Sequence, residues 1–149
     1  MFIGYPTGNE KGTYLALEIA GMDIYACQVR LKGDNGKLAI NQFQYKIPQD
    51  LASGDDFAVL IDYIVECISD FLTRVGTQDL FIYPMAVSFG FAIKQTRLNT
   101  GRILSLGYGL SYPNGVGVDI VELMHERMRR KGLPIKIVAI ANGKTKDDF

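Results

Sequence analysis

The chain closes on "KIVAIANGKTKDDF", an apolar run that leads into Gly143-Lys144-Thr145. Glycine followed by lysine and threonine is how a phosphate loop ends, with backbone N–H groups around a nucleotide's phosphates and the lysine reaching them at the start of a helix. That loop needs another glycine with four residues between it and the second, and counting back from Gly143 reaches Val138, inside the run itself. After Thr145 there is too little sequence for a helix whose N-terminus would complete the anion site. The motif is therefore read as an echo of a phosphate loop, and the chemistry has to be sought elsewhere.

Two other groups of reactive residues are weaker. His125, the single histidine, stands in "VELMHERMRR" with no cysteine, second histidine or serine at a catalytic or metal-binding spacing, so it reads as a packing residue of a helix. Arg127, Arg129, Arg130, Lys131 and Lys136 form a basic cluster, but no aromatics are interleaved with it, and cations are favoured at a helix C-terminus in any case. Cys27 lies in a strand-like run and Cys67 in a helix-like one. Two such residues read as buried thiols rather than as a disulfide or a metal site.

The composition sets the frame for whatever site exists. The 149 residues are 48% hydrophobic and 21% charged, which suits one domain with one core. Sixteen basic residues balance sixteen acidic ones, so no overall field recruits nucleic acid or an anionic membrane. No apolar run has the length of a membrane span, and "MFIGYPTGNEKG" has no basic region ahead of an apolar one, so a cytoplasmic location is expected.

The elements that must position a site follow from periodicity. "TYLALEIAG" and "DIYACQVRL" read as strands joined by a tight turn, and "GDNG" introduces a third strand through Asn35-Gly36. In the second strand Cys27, Val29 and Leu31 are expected to point to the buried side. In the third, Phe43, Tyr45 and Ile47 are. From Asp55 to Val75 the period becomes helical, with Phe57, Leu60, Ile61, Ile64, Cys67, Ile68, Phe71 and Leu72 on one stripe and Gly76 as the stop. "LFIYPMAVSFGFA" reads as one buried strand, "VDIVELMHERMRRKG" as a second amphipathic helix and "IKIVAIA" as a last strand, with a glycine-rich stretch at 107 to 117 between. Three antiparallel strands, helix, strand, helix, strand is the order of an α/β ribonuclease-H-like half-domain of the actin-like ATPase type.

At the level of motifs, "YPTGNEKGTYLALEIAGMDIYACQVRL", "QYKIP", "SFGFAIKQTRLNTGRIL" and "PIKIVAIANGKT" resemble the small domain of eukaryotic hexokinases and glucokinases, the fungal type most of all. The resemblance runs through nearly the whole chain, residues 1 to 149. It covers only the front part of such an enzyme, whose large domain holds further sugar contacts and the adenosine pocket. The resemblance implies a Mg-ATP-dependent transfer of phosphate to the 6-hydroxyl of glucose.

Motif by motif, that implication weakens. The family's phosphate turn, Leu-Asp-Leu-Gly-Gly-Thr-Asn, is "LEIAGMD" here: Glu18 keeps the acid and Gly21 one glycine, but Ala20 and Met22 replace a second glycine and a hydroxyl, and Asp23 adds negative charge. The sugar segment Thr-Phe-Ser-Phe-Pro, anchored on Gln95, Leu98 and Gly101, aligns to Ser88-Phe89-Gly90-Phe91-Ala92, so the sugar-contacting serine is Gly90. Trp-Thr-Lys-Gly-Phe aligns to Leu106-Gly107-Tyr108-Gly109-Leu110, and its threonine and lysine are gone. In Asn-Asp-Thr-Val-Gly-Thr the aspartate takes the proton from the sugar's 6-hydroxyl; here Asn142 matches and Gly143 stands where the base belongs. Asp147 and Asp148 lie past the strand, too far along to substitute.

The expectation is a non-catalytic hexokinase-like domain with vestigial positions at Glu18, Gly21 and Asn142, no resident cofactor and no metal site. Its role would be binding or regulation in sugar metabolism or signalling. A protein partner or self-association would cover the face that the missing large domain leaves bare, and neither nucleic acid nor a membrane is expected as a partner. The alternative is one part of a split hexokinase completed by another polypeptide.

Overall fold

The computed structural model describes residues 11–32, 38–76, 82–106 and 109–142. Strands β1 (Lys11–Ala20), β2 (Asp23–Lys32) and β3 (Leu38–Lys46) form an antiparallel meander, followed by helix α1 (Phe57–Val75) and strand β4 (Tyr83–Phe89). A short hairpin of β5 (Ala92–Arg97) and β6 (Thr100–Ser105) comes next, then helix α2 (Ile120–Arg130) and strand β7 (Ile135–Asn142). The main sheet has the order β3-β2-β1-β4-β7, with β4 parallel to both β1 and β7. Central parallel strands reached by crossover helices are what the sequence pattern implied.

Both helices cover one face. Leu15, Leu17 and Ile19 of β1, Ile24 and Ala26 of β2, Met85, Val87 and Phe89 of β4 and Ile137 of β7 are buried there against Phe57, Leu60, Ile61 and Ile64 of α1 and Ile120, Val121 and Met124 of α2. Each fully buried side chain of this size contributes about 1.5–3 kcal/mol through loss of apolar surface to water.

The helix ends are set locally. Asp56 accepts the Ala58 N–H at 3.0 Å and Asn114 accepts the Phe57 N–H at 2.8 Å, while α1 stops at Gly76 with φ +72°. Asp119 accepts the Glu122 N–H at 3.1 Å to start α2. Side-chain oxygens of this kind satisfy donors that the first helical turn leaves without partners.

Two expectations need correction. In β2 the buried set is Ile24, Ala26 and Gln28, whereas Cys27 and Val29 are half-buried on the opposite face. Gln28 tolerates burial because its side-chain oxygen accepts from the Asn41 amide of β3 at 3.0 Å. Cys27 is thus not a core thiol, although Cys67 is. The single long strand expected at 80 to 92 ends at Phe89. The chain bends at Gly90 and returns as β5, whose pairing with β6 was not foreseen.

Two members of the basic cluster join the helices, and a third pairs within α2. Arg127 lies 3.5 Å from Asp62 of α1, Lys131 pairs with Glu66 of α1, and Arg130 pairs with Glu126 within α2. His125 is half-buried, and its Nε2 accepts the Ile137 N–H at 2.9 Å, where a bulge at Val138 interrupts the β4–β7 register. Among the described residues, no helix is long and apolar enough to cross a membrane.

Candidate functional site

The parallel strands β1, β4 and β7 end at one level, because Ile19 pairs with Phe89 and Phe89 with Asn142. Ligands of open α/β sheets bind at such carboxyl ends, and the turn after β1, the segment after β4 and the last described residue of β7 reach this place. Glu18 stands on the helix-free face of β1 beside Ser88 of β4, which in turn is beside Ala141 of β7. Gly21, with φ +60°, makes the turn into β2, and this left-handed backbone is where glycine is needed. Asn142 is the last residue of β7. Gly107, Tyr108, Gly143, Lys144, Thr145, Asp147 and Asp148 lie outside the described residues.

The structure brings the phosphate turn and the sugar segment into direct contact. The Gly90 N–H donates to the Ile19 carbonyl at 2.7 Å. A Cβ placed on Gly90 would sit 2.9 Å from that same oxygen, 3.5 Å from Ala20 Cα and 3.6 Å from the Gly21 nitrogen. A backbone oxygen cannot move aside as the tip of a flexible side chain can. The position that aligns with the sugar-contacting serine is therefore closed to any side chain in this conformation.

Met22 fills space on the other side of the turn. Its Cγ and Sδ lie 3.6 Å from where a Gly109 Cβ would be, and the side chain is half-buried against the core. A thioether thus bridges the phosphate turn and the segment that should carry the sugar-holding threonine and lysine. It offers only a weak acceptor where a hydroxyl donor is wanted. Asp23 accepts from the Gln44 amide at 3.3 Å, a neighbour within its own sheet.

Beside these closed positions, a groove of 330 Å³ runs over the helix-free face, lined by Ala16, Glu18, Tyr25, Cys27, Ser88 and Ala139 among others. Among the described residues, Glu18 is its one charged side chain. Burial pushes the Cys27 thiol above its ordinary range, so it is no ready nucleophile. Among the described residues, no three His, Cys, Asp or Glu side chains gather as metal ligands would. A magnesium nucleotide is not matched by this set: one carboxylate, an alanine methyl and a thioether stand where phosphate oxygens and their cation would need donors and acids.

The five-stranded order, two helices on one face and the common level at which three parallel strands end define an actin-like ATPase small domain with a ribonuclease-H-like core. The hexokinase family model matches residues 1–145, and the chain belongs to the hexokinase family. It is 30% identical to hexokinase-1 of Saccharomyces cerevisiae over 141 residues, 93% of this chain and 28% of that protein. With the hexokinase of Emericella nidulans the identity is 29% over 144 residues, 96% of this chain and 29% of that one. Among solved structures, the hexokinase of Schistosoma mansoni in complex with glucose superposes with a TM-score of 0.79 at 30% identity, over 92% of this chain and 30% of that chain. The chain thus spans less than a third of the length of these relatives.

Proposed function

We propose that this hexokinase-family domain is non-catalytic as it stands and acts as a binding or regulatory unit in sugar metabolism or signalling. The observation that carries this reading is the closure at Gly90. Its N–H is committed to the Ile19 carbonyl, and a Cβ there would lie within 2.9 Å of that oxygen. A hydroxyl-rich sugar is selected by buried polar partners, and each one lost costs about 1–3 kcal/mol. With Gly143 in place of the base, the domain also lacks the acid that would orient a sugar hydroxyl for phosphoryl transfer. No nucleotide or metal is required in this role, the setting is cytoplasmic, and a protein laid on the helix-free sheet face is the partner. A coupled ADP-release assay with glucose and Mg-ATP is expected to show no turnover above background, and turnover would overturn the reading.

A second reading is a split hexokinase whose large domain comes from another polypeptide. The helix-free face favours it, since a sheet with parallel central strands is ordinarily covered on both sides. Glucose-stimulated ATP consumption on mixing this chain with a large-domain polypeptide is the result that would establish it.

A further inference from the structure

The two edges of the main sheet are treated differently. Along β7 the hairpin and α2 seal the edge: the Ile140 N–H donates to the Leu98 carbonyl at 2.9 Å and the Ile137 N–H to His125. The Ile137 and Ile140 carbonyls each accept a side-chain amide, from Asn99 and Gln95 respectively, at 3.3 Å.

Among the described residues, strand β3 has no such cover. The Ile47 N–H donates to the Met22 carbonyl at 2.8 Å, and this contact continues the β2–β3 register. Because bonded and non-bonded pairs alternate in an antiparallel ladder, Asn41, Phe43 and Tyr45 are bonded to β2, and the backbones of Ile40, Gln42, Gln44 and Lys46 point away from it. Of these outward groups, only the Lys46 carbonyl has a partner among the described residues, the Tyr63 hydroxyl at 2.5 Å. The strand runs nine residues, Leu38–Lys46, with no proline, no register shift against β2 and a single charge, Lys46, at its end. Proteins blunt exposed edges with charges, prolines, bulges or short strands, and β3 uses almost none of these devices.

We propose that β3 is a self-association edge on which a second copy of this chain adds its own β3 in antiparallel register, making a continuous ten-stranded sheet about a two-fold axis. The register follows from the outward residues. Gln42 set against Gln42 of the other copy gives the longest overlap; Gln44 then faces Ile40, and Lys46 faces Leu38. The pairs that exchange hydrogen bonds are those whose backbones already point outward, and no like charges are opposed. A two-fold contact of this kind is self-complementary and closes at two copies. Charge also favours a second copy over a highly basic or acidic strand, because the edge carries one charge and the chain has no net charge. This inference does not rest on the domain's being non-catalytic; Gln42 of the edge also lines the outer end of the groove, whose centre lies over β1 and β4 at Ala16 and Ala86.

Sedimentation equilibrium on the intact chain, with the variants Gln42→Lys and Gln42→Pro, tests it. Lysine would oppose like charges at the two-fold axis. Proline would remove an N–H that β2 does not use, leaving the fold in place while blocking the seam. A wild-type dimer and two folded, monomeric variants are expected. Should either variant fail to fold, amide exchange in the wild type decides: slower exchange of the Ile40, Gln42 and Gln44 N–H groups on concentration supports the seam, and no change overturns it. A wild type that stays monomeric at its highest soluble concentration also overturns the proposal. So does a dimer that withstands both substitutions, or one broken only by Ala86→Lys on the open face.

Discussion

The two faces of the main sheet carry the same strands and very different side chains. Facing the helices are Leu15, Leu17, Ile19, Met85, Val87 and Phe89, all buried. On the other side the same strands show Ala16, Glu18, Ala20, Ala86 and Ser88, and the outer row across β1, β2 and β3 is Tyr14, Val29 and Ile40, with Tyr14 43% and Ile40 60% exposed. The first face is a finished core. Among the described residues nothing covers the second, whose β1 and β4 side chains are small apart from Glu18, and Glu18, Gly21 and Gly90 lie towards its end. Folding and chemistry are therefore separable here: the helix-covered face holds the domain together, and substitution at the other leaves that packing untouched.

The sharpest way to break this comparison is to empty one side of the core. Phe57, 1% exposed and 5.8 Å edge-to-face from Tyr112, packs so closely that a Cβ on Gly115 would meet its ring at 2.9 Å. Phe57→Ala is expected to lower stability by about 3–5 kcal/mol in urea unfolding, because the ring leaves a cavity that the neighbours only partly fill. A loss below about 1 kcal/mol would mean that this face is not the scaffold.

Gly90→Ser comes next and tests the closed site. Forcing a side chain against the Ile19 carbonyl is expected to cost about 1–3 kcal/mol of stability, as overpacking does, and to confer no glucose binding. A variant as stable as the wild type would show that the strand ends can open.

His125 gives a smaller effect with a pH signature. Burial first, then Arg129 and Lys136, hold its pKa below the ordinary range, against a weaker opposite pull from Asp119. The unfolded chain therefore takes up a proton near pH ~6.5 before the folded one does, and stability falls as pH drops through that value. Protonation also removes the acceptor for the Ile137 N–H, a bond of about 0.5–1.5 kcal/mol. His125→Asn, with an acceptor that does not titrate, is expected to give a flatter melting midpoint between neutral and mildly acidic pH. A parallel pair of curves would remove His125 from this role. Smallest of all, Ala86→Ser on the open face is expected to change stability by no more than about 0.5 kcal/mol. A larger loss would show that this face is already covered.

Much of the fold was legible because the strongest signals were local. The stripe from Phe57 to Leu72, its stop at Gly76 and the buried face of β3 needed only periodicity. The buried face of β2 was misread because Cys27 and Val29 are as apolar as Ile24 and Ala26. Period two cannot say which set meets the helices, and the decision rests on Gln28 finding Asn41 thirteen residues away. The hairpin at 92 to 105 was missed because Lys94, Gln95, Thr96 and Arg97 are all exposed and show no alternation. At the site, substitution was readable and closure was not. A glycine at position 90 reports a lost hydroxyl, but only its distance to Ile19 shows that the place of the side chain is taken. Likewise, the contact of Met22 with Gly109 joins segments too far apart for any motif to link.

The closure at Gly90 leads to one expectation, that this hexokinase-family domain holds no glucose. Isothermal titration of the purified chain with glucose, repeated in the presence of Mg-ATP, tests it most directly. The account predicts no saturable heat in either titration; a saturable glucose isotherm at millimolar concentration or below, with or without Mg-ATP, would contradict it.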